Sequence, residues 1–167
     1  MSIFPTKILL ASDGSETGTH ATEAAIVLCE RTGSELNLVY VGEDAYSATL
    51  VYPEVADPEW VEREDPVLIA QLQRQFERMS RRVLDTEAQK VREAGGTIVQ
   101  AHLRTGEAAT EIVDLAEELG VGLVVLGSRG LGGIRRALMG SVSDSVVRHA
   151  HCPVLVVRKD NPGQGVA

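Results

Sequence analysis

The sequence predicts an α/β fold, a doubly wound parallel sheet of five strands with helices on both faces, and three observations lead there. Short apolar runs alternate along the chain with stretches of helical periodicity, the order expected of a parallel sheet built from crossover units. The runs are continuously apolar, as strands buried on both faces are. Each helical stretch stops at a glycine or ahead of a proline, so the units are closed locally.

The first run, Lys7 to Ala11, precedes a helical face of Ala21, Ala24, Ala25 and Leu28 that Gly33 ends. Glu35 to Val41 is the second run. A longer stripe of Leu68, Leu72, Phe76, Met79, Val83 and Leu84 stops at Gly95-Gly96, and the third run, Thr97 to Leu103, follows. Ala109, Ile112, Val113, Ala116 and Leu119 form the next stripe, closed by Gly120 before the fourth run, Val121 to Leu126. Val142, Val146, Val147 and Ala150 make the last stripe, stopped where Pro153 opens the fifth run, Pro153 to Val157. Right-handed crossovers favour the doubly wound form, with ligands at the carboxyl ends of the strands near the switch point. Pattern alone leaves the strand order open. One domain is expected over residues 1–160, and the tail at 161–167, with Pro162, Gly163 and Gly165, is expected to be disordered.

One stretch breaks the rhythm. Gly42 to Pro66 holds Pro53, Pro58 and Pro66, many acids, and the apolar and aromatic residues Tyr46, Leu50, Val51, Tyr52 and Trp60. So long a connection reads either as a lid or interaction surface, or as a plain surface insertion with a short helix around 58–63.

Bulk properties exclude several classes. With 167 residues, 44% of them apolar, the chain is long enough for one real core and is neither disordered nor membrane-spanning in composition. No apolar run approaches the roughly 18 residues of a membrane helix, and the opening residues lack a signal-peptide pattern, so a cytoplasmic protein is expected. Cys29 and Cys152 are the only cysteines, and neither CxxC nor HExxH occurs, which leaves both thiols a structural role and no metal site of protein ligands. A net charge of −8 disfavours nucleic acid or an anionic membrane as partner. It does not exclude a nucleotide, because an anion site can be built locally from backbone N–H groups.

The stretch Gly127-Ser-Arg-Gly130-Leu-Gly-Gly-Ile-Arg-Arg-Ala-Leu-Met-Gly140-Ser141 is that kind of place. It follows the fourth run, leads into the last helix, and carries five glycines in 14 residues with Arg129, Arg135 and Arg136 but no acid. Glycine lets backbone donors approach a phosphate without a Cβ in the way, and a helix N-terminus adds orphan donors and partial positive charge. The Ser141 and Ser143 hydroxyls are candidate extra donors. Glycines also serve as plain tight connections; their density and their position at a strand's carboxyl end favour the phosphate reading.

The spacing of Gly127, Gly130, Gly140 and Ser141 is similar to the G-x2-G-x9-G-[ST] pattern of ATP-binding universal stress proteins. Lys7-Ile-Leu-Leu-Ala-Ser-Asp13-Gly-Ser15 resembles that family's first strand and turn, and the likeness extends over nearly the whole chain, least in Gly42 to Pro66. The resemblance implies a strand order of 3-2-1-4-5 and a homodimer joined through the last strand, Pro153 to Arg158. It also implies ATP with magnesium as ligand. Asp13 would face adenine or ribose with Ala11 and Ser12 beside it, and Val41 would pack on the adenine. Leu126 and Gly127 would flank base and ribose, and Gly130 the phosphates, with Arg129 as a further contact. Gly140, Ser141, Val142 and Ser143 would take the triphosphate. Ala11 departs from the family, whose ATP binders often carry proline there. Asp13 could instead cap the first helix, unless Ser15 takes that place.

Other phosphate chemistries lack their motifs. There is no Walker A pattern, no lysine in the glycine loop, no GxGxxG after the first run, and no GxSxG or kinase signature. The expectation is therefore an ATP-binding regulatory or stress-response protein. A slow ATPase or phosphoryl-transfer enzyme, or a binder of AMP or a cyclic nucleotide, is the alternative.

Overall fold

The alternation of runs and stripes becomes an alternation of strand and helix. The computed structural model describes residues 6–44, 66–128, 130 and 139–158. In chain order these form strand β1 (Lys7–Ala11), helix α1 (Glu16–Thr32), β2 (Glu35–Gly42), α2 (Pro66–Glu93), β3 (Ile98–Thr105), α3 (Ala108–Leu119), β4 (Leu123–Gly127), α4 (Ser141–His149) and β5 (Val154–Val157). The expected short helix near 58–63, most of the acidic connection and the tail lie outside the described residues, as do Arg129, Arg135 and Arg136.

The strands pair in parallel in the order β3-β2-β1-β4-β5, as the resemblance implied. Successive side chains of a strand face opposite sides of the sheet, so each central strand feeds two cores. Ile8 and Leu10 of β1, Leu36 and Leu38 of β2 and Val125 of β4 meet Ala21, Ala25 and Ile26 of α1 and Leu84, Ala88 and Val91 of α2. Leu9, Val39, Val124 and Leu126 meet Ala109, Ile112, Val113, Leu115 and Ala116 of α3 and Val146 of α4. Helices therefore cover both faces, α1 and α2 on one and α3 and α4 on the other.

Local signals end the helices where the sequence indicates. Gly33 and Gly120 adopt left-handed φ values of 69° and 60° at the C-caps of α1 and α3, a conformation glycine reaches without a Cβ clash. Cys29 and Cys152 are free thiols, and burial raises both, Cys29 to about 11, which keeps them protonated and poorly nucleophilic.

Two details depart from the simple pattern. The register of β3 on β2 slips after Leu36↔Ile98, so that Asn37 pairs with Gln100 and the exposed Val99 is skipped. That bulge puts Ile98 and Ala101, three residues apart, on the same core. In α2 the buried row is Ser80, Leu84, Glu87, Ala88 and Val91, whereas Met79 is exposed. The row is partly polar where α2 meets the strand ends, Ser80 lying against Gly42 of β2 and Glu87 accepting from Ser12 just past β1. A Cβ on Gly42 would overlap the Ser80 hydroxyl and lie 2.9 Å from Ser80 Cβ.

That contact generates a stability prediction. Gly42→Ala should lower stability by about 1–3 kcal/mol through overpacking. In a Ser80→Gly background the same change should cost measurably less, which chemical denaturation of the four proteins would reveal.

Candidate functional site

Helix α1 after β1 and helix α4 after β4 lie on opposite faces of the sheet, and at the carboxyl ends of β1, β2 and β4 a cavity of about 490 Å³ opens. Its floor is apolar: Val39, Tyr40 and Val41 of β2, Leu126 of β4, and Ala108 and Ile112 of α3. One rim is Ala11, Ser12 and Asp13, where β1 passes into α1. The other rim is Gly127, Gly130, Met139 and Gly140, continued by Ser141, Val142 and Ser143 in the first turn of α4.

Eleven of the twelve residues expected from the sequence thus line one cavity, and the twelfth, Arg129, lies outside the described residues. Val39, Tyr40, Ala108, Ile112 and Met139 were not anticipated. Val39 was within reach, two positions from Val41, and Ile112 read only as core. Burial, and then the Asp13 and Glu43 carboxylates, push the Tyr40 phenol above its ordinary value, so it stays protonated at neutral pH.

Backbone bonds hold the two rims. Ser12 N–H donates to Val39 O at 3.2 Å, fixing the β1 end to β2. Ser15 is the N-cap of α1, its Oγ accepting from Gly18 N–H at 3.1 Å, while Asp13 Oδ1 accepts from Ser15 N–H at 2.9 Å. Asp13 is therefore not the cap. Its other oxygen faces the glycine rim, and a Cβ on Gly130 would sit 2.7 Å from Asp13 Oδ2. Across the cavity, Ser128 N–H donates to Val157 O, and Gly140 N–H returns to Ser128 O, both at 2.7 Å.

The first turn of α4 differs from those of α1 and α3. Ser15 caps α1, and Glu107 caps α3 by accepting from Ala109 and Thr110 N–H. Gly140 supplies no side-chain cap to α4. The first backbone bond into this helix is Asp144 N–H to Gly140 O, so the N–H groups of Ser141, Val142 and Ser143 have no acceptor within the helix. With φ −76°, Gly140 sits in a conformation open to any residue; what glycine contributes there is the missing side chain. The Ser143 hydroxyl, expected to be an extra donor, is instead committed to the carbonyls of Ser128 (3.1 Å) and Gly140 (3.0 Å). Ser12 is similar: its hydroxyl donates to Glu87 Oε2 at 2.6 Å, a residue the sequence did not single out. Asp13 is the one charged side chain among the described lining residues.

Residues 5–158 match the model of the universal stress protein family. The chain belongs to that family. It is 35% identical over 159 residues to the universal stress protein YxiE of Bacillus subtilis, covering 91% of this chain and 98% of the relative. Among solved structures, the universal stress protein UspA of Lactobacillus plantarum superposes with a TM-score of 0.70 at 27% identity, covering 92% and 97% of the two chains. More distant members share the fold. One was solved in complex with cAMP (TM-score 0.60, 20% identity, covering 92% and 96%), and another, from Arabidopsis thaliana, has AMP bound (TM-score 0.58, 22% identity, covering 96% and 97%).

Two rim glycines should respond differently to a methyl group. In Gly127→Ala the Cβ would meet backbone, 2.7 Å from Thr17 C and 2.9 Å from Gly18 N, so about 1–3 kcal/mol of stability should be lost. Gly130→Ala meets only the end of the Asp13 side chain, which can swing aside, so its melting temperature should stay near wild type. Thermal melts of the two variants compare these outcomes.

Proposed function

We propose that this universal stress protein binds ATP in the cavity at the sheet's switch point and acts as a nucleotide-dependent regulatory or stress-response protein. The observation that carries this reading is the uncapped first turn of α4. Three neighbouring N–H groups, preceded by a glycine without a Cβ, face a cavity whose opposite side is apolar. A helix N-terminus of this kind suits phosphoryl oxygens, and the apolar floor suits a planar base. The G-x2-G-x9-G-[ST] spacing and the adenine nucleotides named for two fold neighbours support it further.

In this reading the β2 floor and Leu126 hold the adenine, and Asp13 faces the ribose or base. Gly127 and Gly130 let the chain pass close to the ligand, with Arg129 beside them. Gly140, Ser141, Val142 and Ser143 take the triphosphate, the last three through their backbone N–H groups. No group of three His, Cys, Asp or Glu side chains among the described residues could hold a metal. Magnesium would then arrive on the triphosphate, Asp13 being the one carboxylate among the described lining residues. Binding that favours ground state and transition state equally gives no acceleration, so the output is a stabilised bound state rather than turnover. The binding unit is one domain over residues 1–160 of a cytoplasmic protein. Among the described residues β5 pairs only with β4, and Leu155 on it is 37% exposed. The segment Pro153 to Arg158 would join two copies into a homodimer.

Two measurements test this. ATP with magnesium should stabilise the protein by about 2.7 kcal/mol at a hundredfold excess over Kd, and AMP should stabilise it less because it does not reach α4. Gly140→Val, which the backbone conformation tolerates, should abolish the ATP effect while remaining folded. Rapid phosphate release, at or above about 1 per second, would replace the regulatory reading with an ATPase; a larger shift with AMP or cAMP would change the ligand. In light scattering, Leu155→Lys should shift a wild-type dimer toward monomer, and a monomeric wild type at micromolar concentration would remove the dimer.

A further inference from the structure

Glu87 is the only charged residue among the described ones that is buried, at 3% exposure. It lies in the row of α2 whose neighbours Leu84, Ala88 and Val91 belong to the core, a position where an apolar side chain would be the ordinary solution. A carboxylate there needs partners, because burying an unpaired charge is strongly unfavourable. It has two: the Ser12 hydroxyl on Oε2 and the Lys90 ammonium on Oε1, each at 2.6 Å. Buried ion pairs are seldom better for stability than a well-packed apolar pair. What Glu87 does that leucine could not is fix Ser12.

Ser12 is held twice, by its N–H on Val39 O and by its hydroxyl on Glu87. The next residues are constrained in turn. Gly14 has φ 81°, and a Cβ there would lie 3.5 Å from Glu87 Oε1, so the carboxylate lies directly against this turn. Asp13, between these two points, takes Ser15 N–H on one oxygen and faces Gly130 with the other. The position of the Asp13 carboxylate is thus set from α2, 75 residues along the chain, although Glu87 is not itself part of the cavity wall.

We propose that Glu87 is a positioning residue of the cavity. Through the Ser12 hydroxyl it holds the β1–α1 turn in the form that carries Asp13 to the glycine rim, and so sets affinity for the nucleoside part of the ligand. This rests on the nucleotide reading above. The consequence is specific: loss of the Ser12–Glu87 bond weakens adenosine and ATP by the same factor. Loss of the α4 site through Gly140→Val weakens ATP and leaves adenosine unchanged.

The test is calorimetry with adenosine and with ATP and magnesium, alongside melting without ligand. Removing both partners of a buried bond can be nearly neutral for stability, so Glu87→Leu combined with Ser12→Ala should keep its melting temperature while binding both ligands about tenfold more weakly. Glu87→Gln, whose amide oxygen still accepts from Ser12, should stay within about threefold of wild type. If the double variant does not fold, Ser12→Ala alone, which removes only a hydroxyl, carries the tenfold expectation. A folded double variant, or Ser12→Ala, with wild-type affinity for both ligands overturns the proposal, as does Glu87→Gln binding as weakly as the double variant. Wild-type protein that binds neither adenosine nor ATP overturns the nucleotide reading itself, an outcome distinct from the others.

Discussion

The site depends on the backbone of one residue. Ser128, the first residue after β4, uses its N–H on Val157 O of β5 and its C=O on Gly140 N–H. The chain between Ser128 and Gly140 therefore leaves and returns to the same point on the sheet, and α4 starts beside the end of the strand from which it departed. The Ser143 hydroxyl reinforces the closure by donating to Ser128 O and Gly140 O. Were this junction to open, the first turn of α4 would no longer face Ala11 and Asp13, and the cavity would lose one rim. Because Ser128 is 3% exposed, both bonds lie away from solvent, where an unmade backbone bond is costly. The edge strand β5 is one of the two anchors, so the strand proposed to join two copies also helps hold the proposed phosphate end of the cavity.

The glycines of this region act for different physical reasons. Gly127 is required by packing, since α1 begins so close to β4 that a Cβ would strike the Thr17 and Gly18 backbone. Gly130 leaves room for the Asp13 carboxylate. Gly140 is in an ordinary extended conformation and contributes an absent side chain at a helix start. A single spacing pattern thus records three constraints, of which only the last concerns backbone donors directly. A net charge of −8 is compatible with the proposed anion site. The field at the first turn of α4 comes from oriented N–H groups within a few ångströms, while most acids sit on other surfaces and are screened over about 8–10 Å.

The fold was legible because burial on both faces writes itself into short contiguous apolar runs, and because Gly33 and Gly120 end helices by a local conformational rule. Strand order was not in that pattern; it came with the family resemblance. The cavity lining was legible where it follows the chain, as in Ala11 to Asp13 and Gly140 to Ser143. What escaped depends on contacts between distant positions. Glu87 and Ser12 are 75 residues apart, and nothing near either predicts that a helix carboxylate meets a strand-end hydroxyl. Of the two hydroxyls counted as possible donors, Ser141 and Ser143, the second proves to be committed to backbone carbonyls, as the Ser12 hydroxyl is to Glu87. A residue type announces that it can donate; only the fold decides to whom. The polar row Ser80 and Glu87 similarly displaced Met79 from the buried side of α2, because close strand ends select small or hydrogen-bonding side chains there.

These assignments bear on what such a cavity can do. The hydroxyls of Ser12 and Ser143 serve the frame, which leaves, among the described lining residues, mainly backbone N–H groups, the Asp13 carboxylate and the Ser141 hydroxyl as polar groups of the cavity. Backbone donors do not move and do not change protonation between neutral and mildly acidic solution. They can donate to phosphoryl oxygens at fixed positions, and they offer no proton transfer to a leaving oxygen. In the proposed reading such a cradle serves binding rather than proton transfer. Its free energy then goes into the rims themselves: the bound ligand would bridge the β1–α1 turn, held from α2 by Glu87, and the α4 turn, held from β5 through Ser128. In the proposed reading a ligand spanning two separately anchored rims would link helix α2 to the edge strand β5, and that linkage is the physical basis on which a partner or a second copy would read occupancy.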